Sequence, residues 1–535
     1  MTFIKSYGRA KTVVPVRMFV CSFSSLLLSL LLRRYKVFLL LPIVYISSML
    51  LFMGVDLLPR AKKFDHVAVV QPGSIYRSPQ VFEHLWPAMQ MQNSSSSSGI
   101  MAAWQYPNKG DVWSYCIQQE GHSEGLPMSN GYLIIEANGG LNQQRSSICN
   151  AVAVAALLNA TLVIPKFHKN SVWKDTSTFG EIYDEEHFVK MLENDVRIVK
   201  KLPDDVMENI GNLSNIFHMK IKAWSKPSFY LENILPKLFE KGIIRIAPFA
   251  NRLSFDNIPS KIQQLRCRTN FEALRFAESI FNMGEVLMKR MIKHSSISNG
   301  KYMAVHLRFE EDMVAFSCCT YDGGEEEKKE MEAARERGWR GKFTRPGRVL
   351  TPGFYRIDGR CPLTPMEVGM MLRGMGFQNS TPIYIAAGKL YKEDKYMLPL
   401  RQMFPHLQTK ETLLSEEELA PFKRYSSRLA ALDYTVCLNS EVFVTTQGGN
   451  FPHFLAGHRR FLNKGHAKTI RPDKRKLALL LDNPTIRWEV FTKHLMAMHR
   501  QNDVKGHELR KLSSSIYEYP APDCMCSQNI KQPNT

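Results

Sequence analysis

Three features are missing from this sequence, and each absence removes a class of chemistry. No Asp-x-Asp pair occurs in the 535 residues, so the usual carboxylate pair for a metal-bound diphosphate is absent. The ten cysteines form no CxxC pair accompanied by a second CxxC or a His pair, which argues against a structural zinc site. Acidic residues are missing from the first 55 positions, so positive charge accumulates there.

Charge is distributed unevenly along the chain, and this distribution disfavours nucleic-acid binding. The sequence contains 70 Lys+Arg and 50 Asp+Glu, a net charge of +20. Residues 1–63 hold ten basic residues and one acid, a surplus of +9, while the remaining 472 residues carry only +11. Nearly half of the excess therefore lies in a short N-terminal segment, where a membrane-topology signal would be found.

An uncharged stretch near the N-terminus predicts a membrane anchor. Residues 37–55 carry no charge and approach the roughly 20 residues that span a bilayer as a helix. Basic residues dominate before it, so the positive-inside rule predicts a cytosolic tail (1–36), a signal anchor (37–58) and a luminal remainder. A cleaved signal peptide is the competing interpretation, but the stretch is too long and begins too far in. Residues 19–32 form a second apolar run, interpreted as an interfacial extension, with a helical hairpin as the alternative.

A luminal location agrees with the sequons and the cysteines. Four Asn-x-Ser/Thr sequons, the candidate glycosylation sites, follow the anchor at Asn93, Asn159, Asn212 and Asn379. Asn159 is the weakest of them because it ends a predicted helix. Nine cysteines lie beyond the anchor, where disulfides persist. Cys318, Cys319 and Cys361 flank a charged insertion that a disulfide could staple, but the connectivity stays open.

The luminal part is predicted to contain a stem and two α/β domains. A strand, a glycine-rich turn, a helix and a second strand follow one another from residue 132 within about 35 residues, which is the βαβ unit of a parallel sheet. A second series of this kind begins at residue 302. We therefore expect two Rossmann-like domains facing one cleft. The predicted divisions are a stem (59–129), an N-terminal domain (130–295), a C-terminal nucleotide-sugar-binding domain (296–480) and a C-terminal helix and tail (481–535).

Individual elements follow from the hydrophobic periodicity. The predicted strands are 132–137, 161–165, 302–308, 383–387 and 442–446. The predicted helices are about 141–159, 365–375, 396–404, 426–438 and 485–499.

The first candidate ligand segment, Asn138–Arg145, follows the first predicted strand. Glycines let a backbone approach a ligand closely, and a helix N-terminus offers N–H groups to an anion. Asn142 would add an amide donor and Arg145 a positive charge. The segment matches neither GxGxxG nor a P-loop, so a glycine turn selected only for tightness is the alternative.

The second candidate segment, His306–Asp312, follows the strand predicted at 302–308. His306 and Arg308 lie on the same side of that strand by its two-residue period. Ligands of open α/β sheets bind at this end of the strands, where a guanidinium can grip a diphosphate with two hydrogen bonds. The three acids that follow are available for ion pairing or general-base work. A purely structural Arg–carboxylate network is the alternative.

The third candidate segment, Thr445–Asn450, follows the strand predicted at 442–446. Its hydroxyls, amides and glycines precede a helix, a composition typical of a phosphate or sugar cradle. With no Asp-x-Asp pair, Arg308, these hydroxyls and the helix N-termini would bind phosphate without a metal. A separate run dense in Glu, Lys and Arg, residues 312–346, is interpreted as a solvated helix or loop inserted beside the cleft.

Taken together, these segments resemble the plant O-fucosyltransferase-like family, glycosyltransferase family 106, which includes pectin rhamnosyltransferases. The resemblance covers about residues 130–488, roughly two-thirds of the chain. It is carried by NGGLNQQR (138–145), HLRFEEDM (306–313), CPLTPMEVGMMLRGMGF (361–377), AALDYTVCLNSEVFVTTQGGNFPHFLAGHRR (430–460) and KTIRPDKR (468–475). It implies a two-domain α/β fold of GT-B type in a type II Golgi membrane protein, and an inverting, metal-independent glycosyl transfer.

The resemblance also implies roles for individual residues. Arg308 would hold the β-phosphate of the donor and stabilise the leaving nucleotide. The implied donor-binding residues are Gly139, Gly140, Asn142, His306, Leu307, Arg308, Asp433, Thr445 and Thr446, with Asp433 the weakest. Some protein O-fucosyltransferases carry a glutamate acceptor base three residues before the Asn of the glycine loop, but this sequence has Gly139 there. Glu310, Glu311 or Asp312 would then be the base, or departure of the diphosphate would lead and need none.

The resulting hypothesis is a Golgi enzyme that moves L-fucose from GDP-fucose to a glycan or protein hydroxyl, with Arg308, Glu310 and Asp312 as catalytic residues. The expected partners are a nucleotide sugar, a glycan or glycoprotein acceptor and the membrane, with no cofactor, no metal and no nucleic acid. A UDP-rhamnose-dependent pectin rhamnosyltransferase is the first alternative. A non-catalytic luminal protein that binds sugar and aids cell-wall assembly is the second.

Overall fold

The computed structural model describes six stretches of the chain: residues 76–91, 113–116, 125–168, 175–463, 467–504 and 509–527. The predicted anchor (37–58), the cytosolic tail and the sequon at Asn93 lie outside these residues. Inside them, no helix is both long enough and apolar enough to cross a bilayer.

The described residues form twelve strands and nineteen α-helices. The strands are β1 (Trp113–Tyr115), β2 (Tyr132–Ala137), β3 (Thr161–Phe167), β4 (Ile198–Val199), β5 (Phe217–Met219), β6 (Ile243–Ile246), β7 (Met303–His306), β8 (Ile383–Ala386), β9 (Leu407–Gln408), β10 (Val442–Thr445), β11 (Lys468–Ile470) and β12 (Met525–Ser527). The helices are α1 (Ser78–Met91), α2 (Leu141–Leu158), α3 (Glu185–Leu192), α4 (Asp204–Ile210), α5 (Pro227–Phe229), α6 (Leu235–Lys241), α7 (Ser260–Arg268), α8 (Glu278–His294), α9 (Glu311–Ser317), α10 (Gly324–Trp339), α11 (Pro352–Ile357), α12 (Pro365–Gly374), α13 (Glu393–Met403), α14 (Lys410–Leu413), α15 (Glu416–Leu419), α16 (Ser426–Leu438), α17 (Asn450–Leu462), α18 (Lys474–Leu481) and, last, α19 (Trp488–Val504).

Two five-stranded parallel sheets organise the chain. The first has the order β4-β3-β2-β6-β5, and the second has the order β11-β10-β7-β8-β9. In each sheet the strand that comes first in the chain, β2 or β7, is central, with later strands added on both sides. The carboxyl end of such a central strand is a topological switch point, where open α/β sheets bind ligands. The architecture is the α/β arrangement of GT-B type, with the candidate segments after β2 and β7 at these two points.

The two faces of the second sheet pack into different apolar clusters. Met303 and Val305 pack on one face, while Ala304 packs on the other, as the two-residue period of a strand requires. The cluster that contains Ala304 is continuous with the core of the first sheet, including Leu133 and Ile148. The two sheet-bearing halves therefore share a core within one compact unit.

Helix α1, which lies in the segment assigned to the stem, packs into the second half. Ser78 is fully buried, and its hydroxyl donates to Glu367 Oε1 over 2.6 Å. The Tyr76 hydroxyl lies 3.1 Å from Thr364 Oγ1, at the start of α12. Residues 76–91 are thus part of the folded core around the second sheet rather than a spacer outside it.

The C-terminal segment crosses back to the first half. Strand β12 pairs antiparallel with β1, and disulfides join Cys116 to Cys526 and Cys267 to Cys524. A third disulfide, Cys319–Cys361, closes the charged insertion, as the sequence had allowed. Among the described cysteines, three are buried and form no disulfide: Cys149, Cys318 and Cys437. Two of the three disulfides among the described residues therefore attach the C-terminal segment to Cys116 and Cys267.

Candidate functional site

The glycine loop after β2 is shaped by its second and third residues. Gly139 has φ +89°, and a Cβ there would lie 1.9 Å from Gln143 Oε1. The same Gln143 oxygen accepts a hydrogen bond from the Gly140 N–H over 2.9 Å, which closes the first turn of α2. A side chain at position 139 would strain the backbone and displace this contact. The loop thus places the N-terminus of an 18-residue helix at the end of the central strand.

Asn142, in the first turn of α2, is a buried polar side chain that no described residue satisfies. It is 4% exposed, and neither its amide nitrogen nor its amide oxygen has a hydrogen-bond partner among the described residues. Asn138 Oδ1 and Gln144 Oε1, on either side of it, are unpartnered in the same way. Leaving a buried polar group unsatisfied costs about 1–3 kcal/mol, so such groups usually serve a purpose. Their clustering at a helix N-terminus indicates a ligand site.

The ends of β7 and β10 meet and bring two candidate segments together. Thr445 pairs in register with His306 because the strands are parallel neighbours. Thr446 Oγ1 donates to the His306 carbonyl over 3.0 Å and accepts the Arg308 N–H over 3.2 Å. Thr445 Oγ1 donates to the carbonyl of Gln447 over 2.8 Å, which turns the loop toward α17. Predicted donor-binding residues from both segments therefore lie side by side.

Arg308 is held by two carboxylates. One guanidinium nitrogen donates to Glu310 Oε2 over 2.5 Å and to Asp312 Oδ1 over 3.0 Å, and the other donates to Asp312 Oδ2 over 2.7 Å. The second oxygen of Glu310 accepts the Gly388 N–H over 3.1 Å. Burial disfavours the charged guanidinium, but the two carboxylates more than offset it and raise the pKa of Arg308 above its usual value. Arg308 therefore stays protonated, and Glu310 and Asp312 fix the orientation of its guanidinium.

His306 is a neutral histidine beside this cation. Its ring stacks on Phe451 with centroids 4.7 Å apart and planes at 20°. Burial, assisted by the charge of Arg308, lowers the pKa of His306 to about 3, so the imidazole is uncharged at neutral pH. Its Nδ1 is buried and has no partner in the described part of the chain. Nδ1 of neutral His306 can therefore form one hydrogen bond with a ligand without adding a charge.

Two further predicted donor-binding residues, Asp433 and Leu307, have side chains that contact the protein itself. Asp433 accepts from the Tyr384 hydroxyl over 2.7 Å and from Lys410 Nζ over 3.1 Å. Its burial raises its pKa to about 6, against the opposing effect of Lys410. The structure thus gives this carboxylate two protein partners, and Lys410 also donates to the carbonyl of Ala387, directly after β8. Leu307 is fully buried in the apolar cluster, so its side chain takes no part in the polar site.

Arg145 is not the exposed charge expected from the sequence. It is 2% exposed, its Nε donates to Asn270 Oδ1 over 2.8 Å, and its guanidinium lies 5.7 Å from the centroid of the Tyr434 ring. Tyr434 packs edge-on against Phe451, with centroids 5.8 Å apart, and Phe451 stacks on His306. Arg145 therefore joins the helix of the glycine loop to the second half instead of facing a ligand.

Lys474 lies within the segment KTIRPDKR (468–475), for which the sequence predicts no individual role. Its ammonium donates to Gln447 Oε1, in the loop after β10, and to the Cys361 carbonyl over 3.0 Å. Burial lowers the pKa of Lys474 to about 8, so it remains mostly protonated at neutral pH. The contact ties the start of α18 to the threonine loop. Apart from the motif around it, no local pattern indicates a role for Lys474, because its contact with Gln447 joins residues 27 positions apart.

The sequons differ in accessibility. The Asn159 amide nitrogen donates to the Met128 carbonyl over 2.6 Å, and the residue ends α2 in a left-handed conformation. Asn379 is half-buried, whereas Asn212 is exposed at the end of α4. Asn212 is thus the most accessible of the three described sequons. No cluster of three or more His, Cys, Asp or Glu side chains in the described stretches is placed to hold a metal ion.

Comparison with protein families and curated proteins places these residues in one family. The family model of GDP-fucose protein O-fucosyltransferases matches residues 132–462. O-fucosyltransferase 9 of Arabidopsis thaliana is 60% identical over 516 residues, which cover 95% of this chain and 90% of that protein. Protein ESMERALDA 1 of the same plant is 56% identical over 527 residues, covering 98% of this chain and 91% of that protein.

Solved fucosyltransferase structures align over much of the chain at low similarity. POFUT1 in complex with GDP-fucose is 12% identical with a TM-score of 0.37, covering 65% of this chain and 98% of that chain. NodZ α-1,6-fucosyltransferase soaked with GDP-fucose is 10% identical with a TM-score of 0.33, covering 64% of this chain and 95% of that chain.

Proposed function

The chain belongs to the GDP-fucose protein O-fucosyltransferase family, and from this premise we propose that it transfers L-fucose from GDP-fucose to a hydroxyl of a glycan or protein acceptor. The observation that carries the proposal is the pair of polar groups at the two switch points. An unpartnered buried amide, Asn142, follows β2, and a fixed cation, Arg308, follows β7. The chain is thus a glycosyltransferase whose donor would bind at these strand ends.

The diphosphate would bind where β7 and β10 end. Arg308 supplies a planar donor pair that matches phosphate oxygens, and the hydroxyl of Thr446 lies within hydrogen-bond reach of its backbone. Helix α17 begins at Asn450 after two glycines, so its N-terminal N–H groups add a second anion-binding element. Neutral His306 supplies a hydrogen bond without adding charge. Charge neutralisation in this proposal comes from the protein and needs no metal.

The transfer can be written without a base from the glycine loop. The bond between the fucose C1 and the phosphate oxygen breaks, its electron pair stays on the diphosphate, and Arg308 stabilises that charge. The acceptor oxygen bonds to C1 from the opposite face, with inversion. Position 139 cannot supply a glutamate, because its φ of +89° and the adjacent Gln143 disfavour any side chain.

The acceptor proton would go to a carboxylate that the donor itself releases. Glu310 and Asp312 both bind Arg308. A diphosphate that takes over the guanidinium breaks one of these pairs and leaves a carboxylate without its cation. An unpaired carboxylate beside a new negative charge holds a proton more readily than a paired one. Base activation is thereby coupled to donor binding.

The proposal also includes a location and a membrane topology. Residues 37–58 would anchor the protein in the Golgi membrane as a single-pass type II protein, with the described residues in the lumen. The support is the uncharged stretch with its surplus of basic residues on the N-terminal side, together with the disulfides, which persist in an oxidising compartment.

The donor assignment is tested by ligand-induced stabilisation of the full-length chain. GDP-fucose is expected to raise the melting temperature, with the same shift in EDTA, because the ligand binds only the folded state. UDP-rhamnose at equal concentration is the matched comparison. A shift with UDP-rhamnose alone would assign the rhamnosyltransferase alternative. No shift with either donor would leave the non-catalytic sugar-binding alternative and reject the enzyme.

The Asn142→Leu variant is expected to be more stable and less active than the wild type. Replacing an unsatisfied buried amide with a similar-sized apolar group should raise the free energy of unfolding by about 1–2 kcal/mol. The loss of a ligand contact should lower kcat/KM for GDP-fucose about 100-fold. Both quantities are measured on the same preparation, by denaturant unfolding and by a transfer assay.

Asn270→Leu is the matched control for this variant. Asn270 is also almost fully buried, but its amide oxygen is satisfied by Arg145. The same substitution should therefore destabilise the protein. An Asn142→Leu protein with unchanged transfer would show that the amide does not contact the donor or the acceptor.

A further inference from the structure

The two carboxylates that bind Arg308 are attached to the protein in different ways. Glu310 binds the guanidinium through Oε2, and its Oε1 accepts the Gly388 N–H over 3.1 Å. Asp312 accepts from the guanidinium with both oxygens, over 3.0 and 2.7 Å, and its carboxylate has no other partner in the described part of the chain. The side chain of Asp312 is 28% exposed, and that of Glu310 is 17% exposed. Glu310 therefore has a second attachment, whereas the carboxylate of Asp312 depends on Arg308.

The loop after β8 also holds the backbone around Glu310. Glu310 forms an isolated antiparallel bridge with Leu390, and the Tyr391 N–H donates to the Phe309 carbonyl over 3.0 Å. A Cβ at position 388 would lie 3.3 Å from Glu310 Oε1, so a glycine lets the loop approach the carboxylate closely. Because β7 and β8 are parallel neighbours, this loop lies at the same end of the sheet as the candidate site. The position of Glu310 thus depends on the position of the loop.

A buried lysine fixes the peptide group that binds Glu310. Lys410 is the first residue of α14, its side chain is 3% exposed, and its Nζ donates to the Ala387 carbonyl over 2.7 Å. Burying an ammonium is costly unless it is paired, and here Asp433 provides a counterion at 3.1 Å. The Ala387 carbonyl and the Gly388 N–H belong to one planar peptide group and point in opposite directions. The ammonium at its oxygen and the Glu310 carboxylate at its N–H therefore stabilise the same orientation of this peptide.

A diphosphate that binds Arg308 competes with the two acids for the same planar donors. Asp312 binds both terminal guanidinium nitrogens, so it occupies the paired arrangement that two phosphate oxygens would use. Glu310 binds only one of these nitrogens. Releasing Asp312 breaks contacts only with the group that the phosphate then binds. Glu310, in contrast, remains attached to Gly388.

We propose that donor binding displaces Asp312 from Arg308 and leaves Glu310 in place. Lys410 is then a positioning residue, which holds Glu310 through the Ala387–Gly388 peptide. Arg308 keeps its orientation while the diphosphate takes the place of Asp312. The displaced Asp312 is the carboxylate to which the acceptor hydroxyl gives its proton. This inference rests on the proposed function, because it assigns separate roles to residues of the same site.

The first test compares the GDP affinities of Asp312→Ala and Glu310→Ala, measured by calorimetry on the full-length chain. Each variant removes one carboxylate from the same guanidinium, so the two are matched in charge. D312A is expected to bind GDP about tenfold more tightly, because a competing group is gone, and yet to transfer fucose about 100-fold more slowly. E310A is expected to bind GDP more weakly, because the guanidinium loses its fixed orientation. Tighter binding by both variants, by neither, or by E310A alone would overturn the proposed displacement.

Lys410→Met is the second test, with Glu411→Gln as its control. Glu411 is another acid near the Lys410 ammonium, at 3.3 Å, and its replacement leaves the hydrogen bond to Ala387 in place. K410M is expected to transfer fucose about tenfold more slowly at a temperature well below its melting temperature, while E411Q matches the wild type. In the E310A background K410M should have no further effect, because the positioning acts through Glu310. An equal loss in both backgrounds would overturn the role given to Lys410.

The two levels of the proposal fail in different ways. A wild-type protein that binds neither GDP nor GDP-fucose would contradict the proposed function and this inference together. Binding by the wild type with any other pattern among the variants would contradict this inference alone.

Discussion

An Arg308→Ala protein is expected to transfer fucose about a thousandfold more slowly than the wild type, or not at all. The guanidinium is the group placed to take the charge of the departing diphosphate, because the Thr446 hydroxyl and the His306 imidazole beside it carry no positive charge. Arg308→Lys should recover little, since an ammonium cannot reproduce the paired donors. Initial rates with GDP-fucose, measured by release of GDP, provide the comparison.

Arg510→Ala is the matched control. The side chain of Arg510 is 13% exposed and binds the carboxylates of Asp256 and Asp523, whereas that of Arg308 is 17% exposed and binds Glu310 and Asp312. Both substitutions remove a largely buried cation from two carboxylates, so both should lower the free energy of unfolding by a similar amount. Only the change at Arg308 should remove transfer. Equal activities of the two variants would show that Arg308 acts structurally.

Glu367→Ala is expected to produce the largest loss of stability, about 3–5 kcal/mol. Glu367 is fully buried, binds Arg356 over 2.6 Å and accepts from the Ser78 hydroxyl. Without it the guanidinium of Arg356, 5% exposed, retains only Asp482 as a counterion. The same carboxylate accepts the Thr364 N–H in the capping box of α12, so the helix also loses one of the two hydrogen bonds of that box. Denaturant unfolding measures the loss.

Glu418→Ala separates burial from capping in this experiment. Glu418 occupies the same capping-box position, in α15, and also binds an arginine, Arg290. That pair is exposed to solvent, so its removal should cost far less than the removal of Glu367. If the two variants lose the same stability, capping and not the buried ion pair stabilises α12.

The parallel sheets could be predicted because their signals are local. The prediction for β2 agrees with the observed residues 132–137, and that for α16 agrees with 426–438. Other predicted ends are off by a few residues: β3 continues to Phe167, and α13 begins at Glu393. The short edge strands β4, β5 and β9 were not predicted, because two or three residues are too few to show the alternation of apolar and polar residues that marks a strand.

Long-range contacts were not predictable from local pattern. Helix α1 has an ordinary composition, and only Ser78 meeting Glu367, 289 residues later, shows that it belongs to the core. Arg145 was predicted to face a ligand because it follows a glycine loop, but its contact with Asn270 turns it inward. For Asn142 the position was predictable, but its lack of a partner was not, because that depends on all of its surroundings.

The attachment of the C-terminal segment to the first half determines when that half is complete. Cys267 and Cys116 pair with Cys524 and Cys526, which are synthesised last. The first sheet can form as soon as its strands have left the ribosome, but its covalent closure must wait for the whole second half. A chain that stops short of residue 524 would leave these two thiols exposed to wrong partners in an oxidising compartment. The two disulfides thus couple the covalent closure of the first half to the synthesis of the second half.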